Sequence, residues 1–203
     1  MPSQNRLNLL VVFITLLIVF ETIVYAATMS QQGEQYFQVY LLGPNRMAED
    51  YYPNGNSNIS QAESVTWYVS VTDLRGLVQF VEIRVKLGNQ SLSSPDDLKG
   101  TPSPAPVVAN FRQFIQDNQT WEIPFVWEIS NISSLEGSTR ISQLEINNAI
   151  YPLQDVSANN GQNFRLIFEL WTWSEDAASF QFGWFSGSEH RVAWLQVWFN
   201  ATV

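Results

Sequence analysis

Apolar and polar residues alternate with a period of two in several segments of this sequence. In residues 63–73, Val65, Trp67, Val69 and Val71 alternate with polar or hydroxylated neighbours. Residues 81–87 and 121–130 repeat the pattern. This period places alternate side chains on opposite faces of a β-strand, and it is typical of an antiparallel sheet with one buried face. The chain is therefore predicted to be all-β.

Further strands are predicted over residues 36–42, 141–150, 164–173 and 192–199, with turn-rich Gly, Pro and Asn pieces between them. Residues 107–116 are the one segment that suggests a short helix. Pro124 indicates an edge strand or a bulge, because proline cannot donate to a strand ladder. The pattern predicts an immunoglobulin-like antiparallel β-sandwich of about seven to nine strands.

An apolar stretch from Leu7 to Ala27 precedes these strands. Its roughly 21 residues are just long enough to cross a hydrocarbon core of about 30 Å as a helix. Arg6 precedes the stretch, so the positive-inside rule predicts a cytoplasmic N-terminus and an extracellular C-terminal domain. A cleaved signal peptide ending near Val24-Tyr25-Ala26 is the alternative, and it would release the domain. Residues 1–28 are thus predicted to be a membrane anchor or signal, and residues 29–203 the exported domain.

The charge and the cysteine content exclude several classes of function. The formal net charge is −9 and the ten Lys and Arg residues are scattered, so a nucleic-acid partner is not expected. The chain has no cysteine, which excludes disulfides and thiolate metal sites. The core alone must stabilise the fold.

Five Asn-x-Ser/Thr sequons are candidate glycosylation sites. They begin at Asn58, Asn89, Asn118, Asn131 and Asn200. Glycans at these positions are typical of a surface protein.

Two further segments suggest binding surfaces. The proline-rich residues 91–106 are predicted to form an exposed excursion or a binding loop. The second segment is aromatic, and its candidate binding surface consists of Trp171, Trp173, Trp194 and Trp198. Either residues 175–190 fold over Trp194 and Trp198, or these rings form an exposed platform for a sugar, a protein partner or the membrane surface.

The sequence gives little support for catalysis. His190 is the only histidine, and Ser188 and Asp176 do not lie in a motif that would assemble a triad with it. The acidic pairs Asp96-Asp97 and Glu175-Asp176 lack the spacing of a calcium loop. No catalytic residue, metal site or cofactor is predicted.

Residues 36–53, with the sequence YFQVYLLGPNRMAEDYYP, resemble the start of the exported domain of an archaeal membrane protein family called domain of unknown function 1616. The following VTWYVSVTDLRGLVQFVEIRVKL is similar to that family's pair of strands, and RLIFELW is similar to its late strand. The resemblance implies an immunoglobulin-like domain outside an archaeal membrane. It implies no activity, because the family has no established one.

These observations predict a membrane-anchored structural or interaction module at the cell surface, without enzymatic activity. Its expected partners are the membrane, through one helix, and envelope proteins or glycans. The alternative is a carbohydrate-binding module that uses exposed tryptophans.

Overall fold

A computed structural model describes residues 2–28 and 35–203, which form two separate units. The first unit is helix α1, Pro2–Thr28. Its window Asn8–Tyr25 is long and apolar enough to cross a membrane, a property that signal sequences share. The predicted N-terminal helix is therefore present.

The second unit is built from thirteen strands. They are β1 (Tyr36–Leu42), β2 (Asn58–Ser60), β3 (Val65–Leu74), β4 (Gln79–Asn89), β5 (Val107–Ile115), β6 (Thr120–Leu135), β7 (Ser138–Ile146), β8 (Ala149–Asn159), β9 (Phe164–Ser174), β10 (Ser179–Phe182), β11 (Trp184–Ser186), β12 (Glu189–Arg191) and β13 (Trp194–Thr202). A 3-10 turn covers Pro53–Gly55. This exceeds the predicted seven to nine strands, because several strands are only three or four residues long.

The strands form two main sheets. The first has the order β1-β3-β6-β7-β8, and the second has the order β2-β13-β9-β4-β5, with β10 also paired to β9. Strands β11 and β12 form a separate hairpin. Within residues 35–203 the strand pairs are antiparallel, apart from the short parallel pair of β13 and β2.

Aromatic side chains from the two sheets pack against each other in the core. Trp67 and Phe125 of the first sheet contact Phe168 of the second, with ring centroids 6.3 and 5.0 Å apart. Trp127 contacts Phe199 at 4.9 Å. All five side chains are essentially inaccessible to solvent. The predicted immunoglobulin-like β-sandwich is confirmed.

The helix expected at residues 107–116 is wrong, because this segment is β5, paired along its length with β4. Its valines and phenylalanines favour an extended strand, and β4 offers an open edge for it. The prediction of a single strand over residues 141–150 is also wrong. Asn147 and Asn148 both have positive φ, 50° and 64°, and form the two-residue turn between β7 and β8.

Pro124 lies in the part of β6 that pairs with β3 alone, because pairing with β7 begins at Trp127. The side chain of Asn147 replaces the missing strand by donating to the Pro124 carbonyl and accepting from the amide of Val126, at 2.8 and 2.9 Å. Pro124 therefore lies on a locally open edge, as predicted.

Candidate functional site

The candidate site is a groove along one side of the sandwich, where an edge of each sheet is open. Strand β1 is the outer strand of the first sheet, and the first six residues of β13 pair only with β9. The groove between them has a volume of about 660 Å³. It is lined by Phe37, Gln38, Val39, Tyr40, Asp97, Val192, Ala193 and Trp194.

Backbone N–H and C=O groups of β1 point into the groove. Asp73 of β3 donates its amide to Gln119, away from β1, and Asp73 is the register partner of Phe37. Because strand residues alternate in direction, the N–H and C=O groups of Phe37 and Val39 point away from β3 and into the groove. This edge of β1 can therefore accept another strand.

The facing edge of β13 has the same property. The Ala193 carbonyl accepts from Leu170 of β9, so the backbone groups of the next residue, Trp194, point away from β9. Gln196 repeats this direction two residues later. The groove is thus bordered on both sides by backbone donors and acceptors directed towards each other.

We call the boundary between β1 and β13 the seam. Two tyrosines fill the end of the seam that the groove leaves. The Tyr51 hydroxyl donates to the Leu41 carbonyl of β1 at 3.2 Å, and the Tyr52 hydroxyl donates to the Trp198 carbonyl of β13. Burial raises the pKa of the Tyr52 phenol, which keeps this donor protonated. One half of the seam is therefore occupied by the chain's own side chains, and the other half is the open groove.

Residues 91–106 fold back over the outer face of the second sheet, where buried charges hold them. Glu169 of β9 accepts from the backbone amide of Ser103 at 2.7 Å, and its carboxylate pairs with Lys86 at 2.9 Å. Lys86 also donates to the Ser103 carbonyl at 2.6 Å, and Trp171 donates to Glu169 at 3.1 Å. This loop is consequently packed against the sheet and does not extend freely into solvent.

Arg165 holds the start of the same loop. Its guanidinium donates to the Leu92 carbonyl and to the Ser94 hydroxyl, and it donates to Gln196 of β13 at 2.7 Å. The same guanidinium lies 4.8 Å from the ring centroid of Trp198. The loop and β13 are therefore joined through one buried cation.

The segment that reaches the late tryptophans differs from the one expected. Trp194 donates its indole N–H to Asp97, in residues 91–106, and Trp198 lies beside Arg165, which binds that loop. Residues 175–190 instead form β10, β11 and part of β12, of which β10 pairs with β9 and β11 pairs with β12. The loop that contacts Trp194 is therefore the proline-rich one, whereas Trp198 is exposed beside Arg165, as in the second of the two sequence-based alternatives.

The four candidate tryptophans do not form one continuous platform. Trp171 is half-buried against Phe182 at 5.7 Å, with Arg84 over its ring at 3.6 Å. Trp173 and Trp198 are the more exposed pair, at 41% and 38%. Trp198 pairs with residue 165 of β9, so Trp173 lies eight residues, or about 26 Å, further along the sheet. These two rings are separate surfaces.

Asn58, Asn89 and Asn200 each donate a hydrogen bond from the side-chain amide. Asn200 donates to Asn58 at 2.8 Å across the β13–β2 pair, and Asn58 donates in turn to Asn56 at 2.9 Å. Asn89 donates to the Ser157 carbonyl at 2.6 Å. A glycan on these amide nitrogens would displace the present hydrogen bonds.

The other two sequon asparagines are exposed. Asn118 lies in the β5–β6 turn with a φ of 59°, and its side-chain amide donates to the carboxylate of Asp117 at 2.8 Å. Asn131 lies on a bulge of β6. Asn131 is therefore the better placed glycan acceptor.

The described residues do not assemble a catalytic triad from the expected candidates. The His190 Nε2 atom bonds the Phe182 carbonyl at 2.7 Å, and its ring lies 4.9 Å from that of Phe185. Ser188 and Asp176 are both exposed in different turns. In residues 2–28 and 35–203, no group of three acidic or histidine side chains is placed to hold a metal ion. Asp96 instead caps its own turn by accepting from the amides of Leu98 and Lys99.

Asp73 is a buried carboxyl at the end of β3 and controls part of the pH dependence of stability. Burial raises its pKa from 3.8 to about 6. Between these two values the folded state binds more protons than the unfolded state, so the free energy of unfolding falls as the pH rises from about 4 to 6. We expect Asp73→Asn to raise the free energy of unfolding at pH 7.5 by about 1–2 kcal/mol, and to change it less at pH 4.

Urea unfolding of the full chain in detergent, followed by tryptophan fluorescence at pH 4, 5.5 and 7.5, measures this effect. Asp176→Asn is the control, because Asp176 is exposed. An Asp73→Asn effect of equal size at all three pH values would contradict the assignment.

No protein-family model matches this sequence, and no curated protein matches it. Among solved structures, the chain is similar to the CARDB domain of a Pyrococcus furiosus protein in complex with di-metal ions. The identity is 12% and the TM-score 0.37, over 83% of this chain and 96% of that one.

A β-glucosidase from Listeria innocua is also similar, in its complexes with glucose and with gluconolactone. The identities are 11% and 9%, with TM-scores of 0.34 and 0.32 over 82% of this chain. The match spans 16% of the glucosidase chain. These likenesses assign no ligand and no activity to this protein.

Proposed function

We propose that this protein is a non-catalytic interaction module at the outer surface of a membrane, which binds an extended segment of an envelope protein by strand addition. The observation that carries the proposal is the pair of facing open edges of β1 and β13. Strand addition satisfies such edges with main-chain hydrogen bonds, while side-chain pockets give specificity. The groove supplies pockets beside Phe37 and Trp194.

The chemistry of the groove favours a partner segment with basic side chains. Asp97 is an exposed carboxylate that lines the groove, and the chain as a whole carries a net charge of −9. A cationic segment would therefore be attracted before it pairs with either edge. We propose a positively charged, extended polypeptide as the occupant.

The location rests on helix α1. Arg6 precedes the apolar window, so the positive-inside rule favours a cytoplasmic N-terminus and a sandwich on the outer side. A cleaved signal would export the same domain without its anchor. The exposed sequon at Asn131 is compatible with a glycosylated surface. The resemblance to domain of unknown function 1616, with its archaeal source, stays a prediction.

Val39→Pro tests the groove directly. The Val39 amide points into the groove, so proline removes an edge donor and leaves the β1–β3 ladder intact. We expect a cysteine placed at Tyr40, which lines the groove, to crosslink on intact cells to an extended segment of a partner. We expect Val39→Pro to abolish this crosslink without changing the thermal unfolding midpoint by more than a few degrees.

Since the chain has no cysteine, each introduced thiol is unique. Leu135→Cys, exposed at the β6–β7 turn, is the control for random collisions. Unchanged crosslinking in Val39→Pro, or crosslinking no stronger than from Leu135→Cys, would refute strand addition.

The alternative of a carbohydrate-binding module would gain support from glycan binding that Trp198→Ala removes and Val39→Pro preserves, because Trp198 is the exposed ring next to Arg165.

A further inference from the structure

An apolar surface lies at one end of the sandwich, and we call it the end patch. It consists of Leu77, Val78, Phe80, Phe114, Trp173 and Phe180. Leu77, Val78 and Phe114 are each between 61% and 66% exposed, and Trp173 is 41% exposed. Single exposed apolar residues are ordinary, but a contiguous group of this kind marks an interaction surface.

The aromatic members of the end patch contact one another. Phe80 stacks on Phe114 with ring centroids 4.3 Å apart, and it contacts Phe180 at 5.0 Å. Trp173 packs edge-on against Phe180 at 5.3 Å. Three strands and the adjoining β10 hold these rings in place, so the surface is preformed.

The polypeptide enters the sandwich at this same end. Tyr36, the first residue of β1, pairs with Leu74, the last residue of β3, and Leu77 and Val78 follow in the next turn. The side chain of Gln35 lies close to Gly76 of that turn, 3.8 Å from the position of an added Cβ. The end patch therefore lies at the end of the sandwich where the domain begins.

Helix α1 is joined to this end by a short stretch of sequence. The helix ends at Thr28 and β1 begins at Tyr36, so seven residues lie between them. Even when fully extended, seven residues span only about 25 Å. If α1 crosses a bilayer, this end of the domain is tethered within that distance of the lipid surface.

We propose that the end patch inserts into the headgroup region of the bilayer to which α1 anchors the chain. The proposal rests on the membrane location given under the proposed function. Tryptophan is enriched at this depth, because its apolar body leaves water while its N–H stays hydrated. Phenylalanine and leucine contribute the apolar area that such interfacial surfaces bury. The net charge of −9 gives no electrostatic attraction to anionic lipid, so the contact depends on apolar area and occurs on a zwitterionic surface.

Depth measurement by spin labelling tests this contact on the full chain. The protein contains no native cysteine, so nitroxides at Val78→Cys, Phe114→Cys and Leu135→Cys are each unique. Leu135 is the matched control, because it is 76% exposed but lies far from the end patch. Thr120, the first residue of β6, pairs with β3 near the end patch, and Leu135 is the last residue of the same strand. Each labelled chain is placed in phosphatidylcholine nanodiscs, and collision rates with oxygen and with a water-soluble nickel chelate are compared.

We expect the oxygen-to-nickel collision ratio to be several-fold higher at positions 78 and 114 than at position 135, and to be unchanged by salt. Equal ratios at all three positions, in chains that co-purify with the discs, would overturn the insertion of the end patch alone. Dipolar broadening at positions 78 and 114 would overturn it as well, because a second copy would then cover the patch. Failure of the unlabelled chain to associate with the discs would instead refute the anchoring on which the proposed function depends.

Discussion

Glu169→Ala is expected to lower the free energy of unfolding by about 3–5 kcal/mol, because it leaves the buried ammonium group of Lys86 without its counter-ion. Both side chains are almost inaccessible to solvent, and the carboxylate also accepts the Ser103 amide. Its loss therefore removes a charge partner and a loop contact in one substitution. Urea unfolding at pH 7.5 measures the change.

Two variants separate this cause from a general defect. Glu122→Ala breaks the exposed ion pair with Arg46, at 2.8 Å, and is expected to cost less than about 1 kcal/mol. The double variant Lys86→Met/Glu169→Leu removes both charges, and we expect it to recover much of the loss. A loss of unfolding free energy in Glu169→Ala no larger than that in Glu122→Ala would show that the buried ion pair does not stabilise the fold.

Glu169→Ala also has a local consequence for the proline-rich loop. Lys99 is exposed in the turn of residues 91–106, and its backbone lies between the two anchor points at Ser94 and Ser103. When the Ser103 contact is lost, trypsin is expected to cleave after Lys99 faster than in the parent chain. Unchanged cleavage would mean that the remaining contacts of the loop, with Arg165 and Trp194, are sufficient to fix it.

Trp67→Ala is expected to lower the free energy of unfolding by about 3–5 kcal/mol, since it empties a large volume at the centre of the core. The Trp67 ring is fully buried and contacts the rings of Phe125, Trp127 and Phe168. Its indole N–H also donates to the Tyr51 carbonyl. The residue thus links the core to the tyrosine segment that closes part of the seam.

Trp67→Phe is the matched control for this prediction. It keeps most of the apolar volume and removes the hydrogen bond to Tyr51, so we expect a loss of about 1–2 kcal/mol. Thermal unfolding followed by near-ultraviolet circular dichroism distinguishes the two variants. Equal losses in both would mean that the hydrogen bond, and not the packing, accounts for the stability.

The strands with a strong alternating pattern could be predicted from sequence, and those without it could not. Residues 65–74 and 36–42 form β3 and β1 at the expected positions, because one face of each strand is buried in the core. Strand β5 escaped detection because only Val108, Ala109 and Ile115 are buried, which gives no regular period. Its structure follows from pairing with β4, a contact that local sequence does not record.

The candidate groove could not be predicted from the sequence, for a similar reason. It depends on β1 and β13 facing each other, although about 150 residues separate them. The alternation of residues 81–87 indicates that Lys86 lies on the outer face of its strand, as the structure shows. What sequence did not predict is that residues 91–106 cover this face and bury the charges of Lys86 and Glu169.

The sheet order β2-β13-β9 places β13 between two strands that precede it in the chain. During synthesis, the second sheet therefore has a gap until residues 194–202 have emerged from the ribosome. Until then, Phe164 and Trp127 lack the Phe199 ring that packs on both of them in the finished domain. A chain that is synthesised from its N-terminal end consequently has an incomplete aromatic interior until its last strand arrives, and during this interval it is most prone to aggregate.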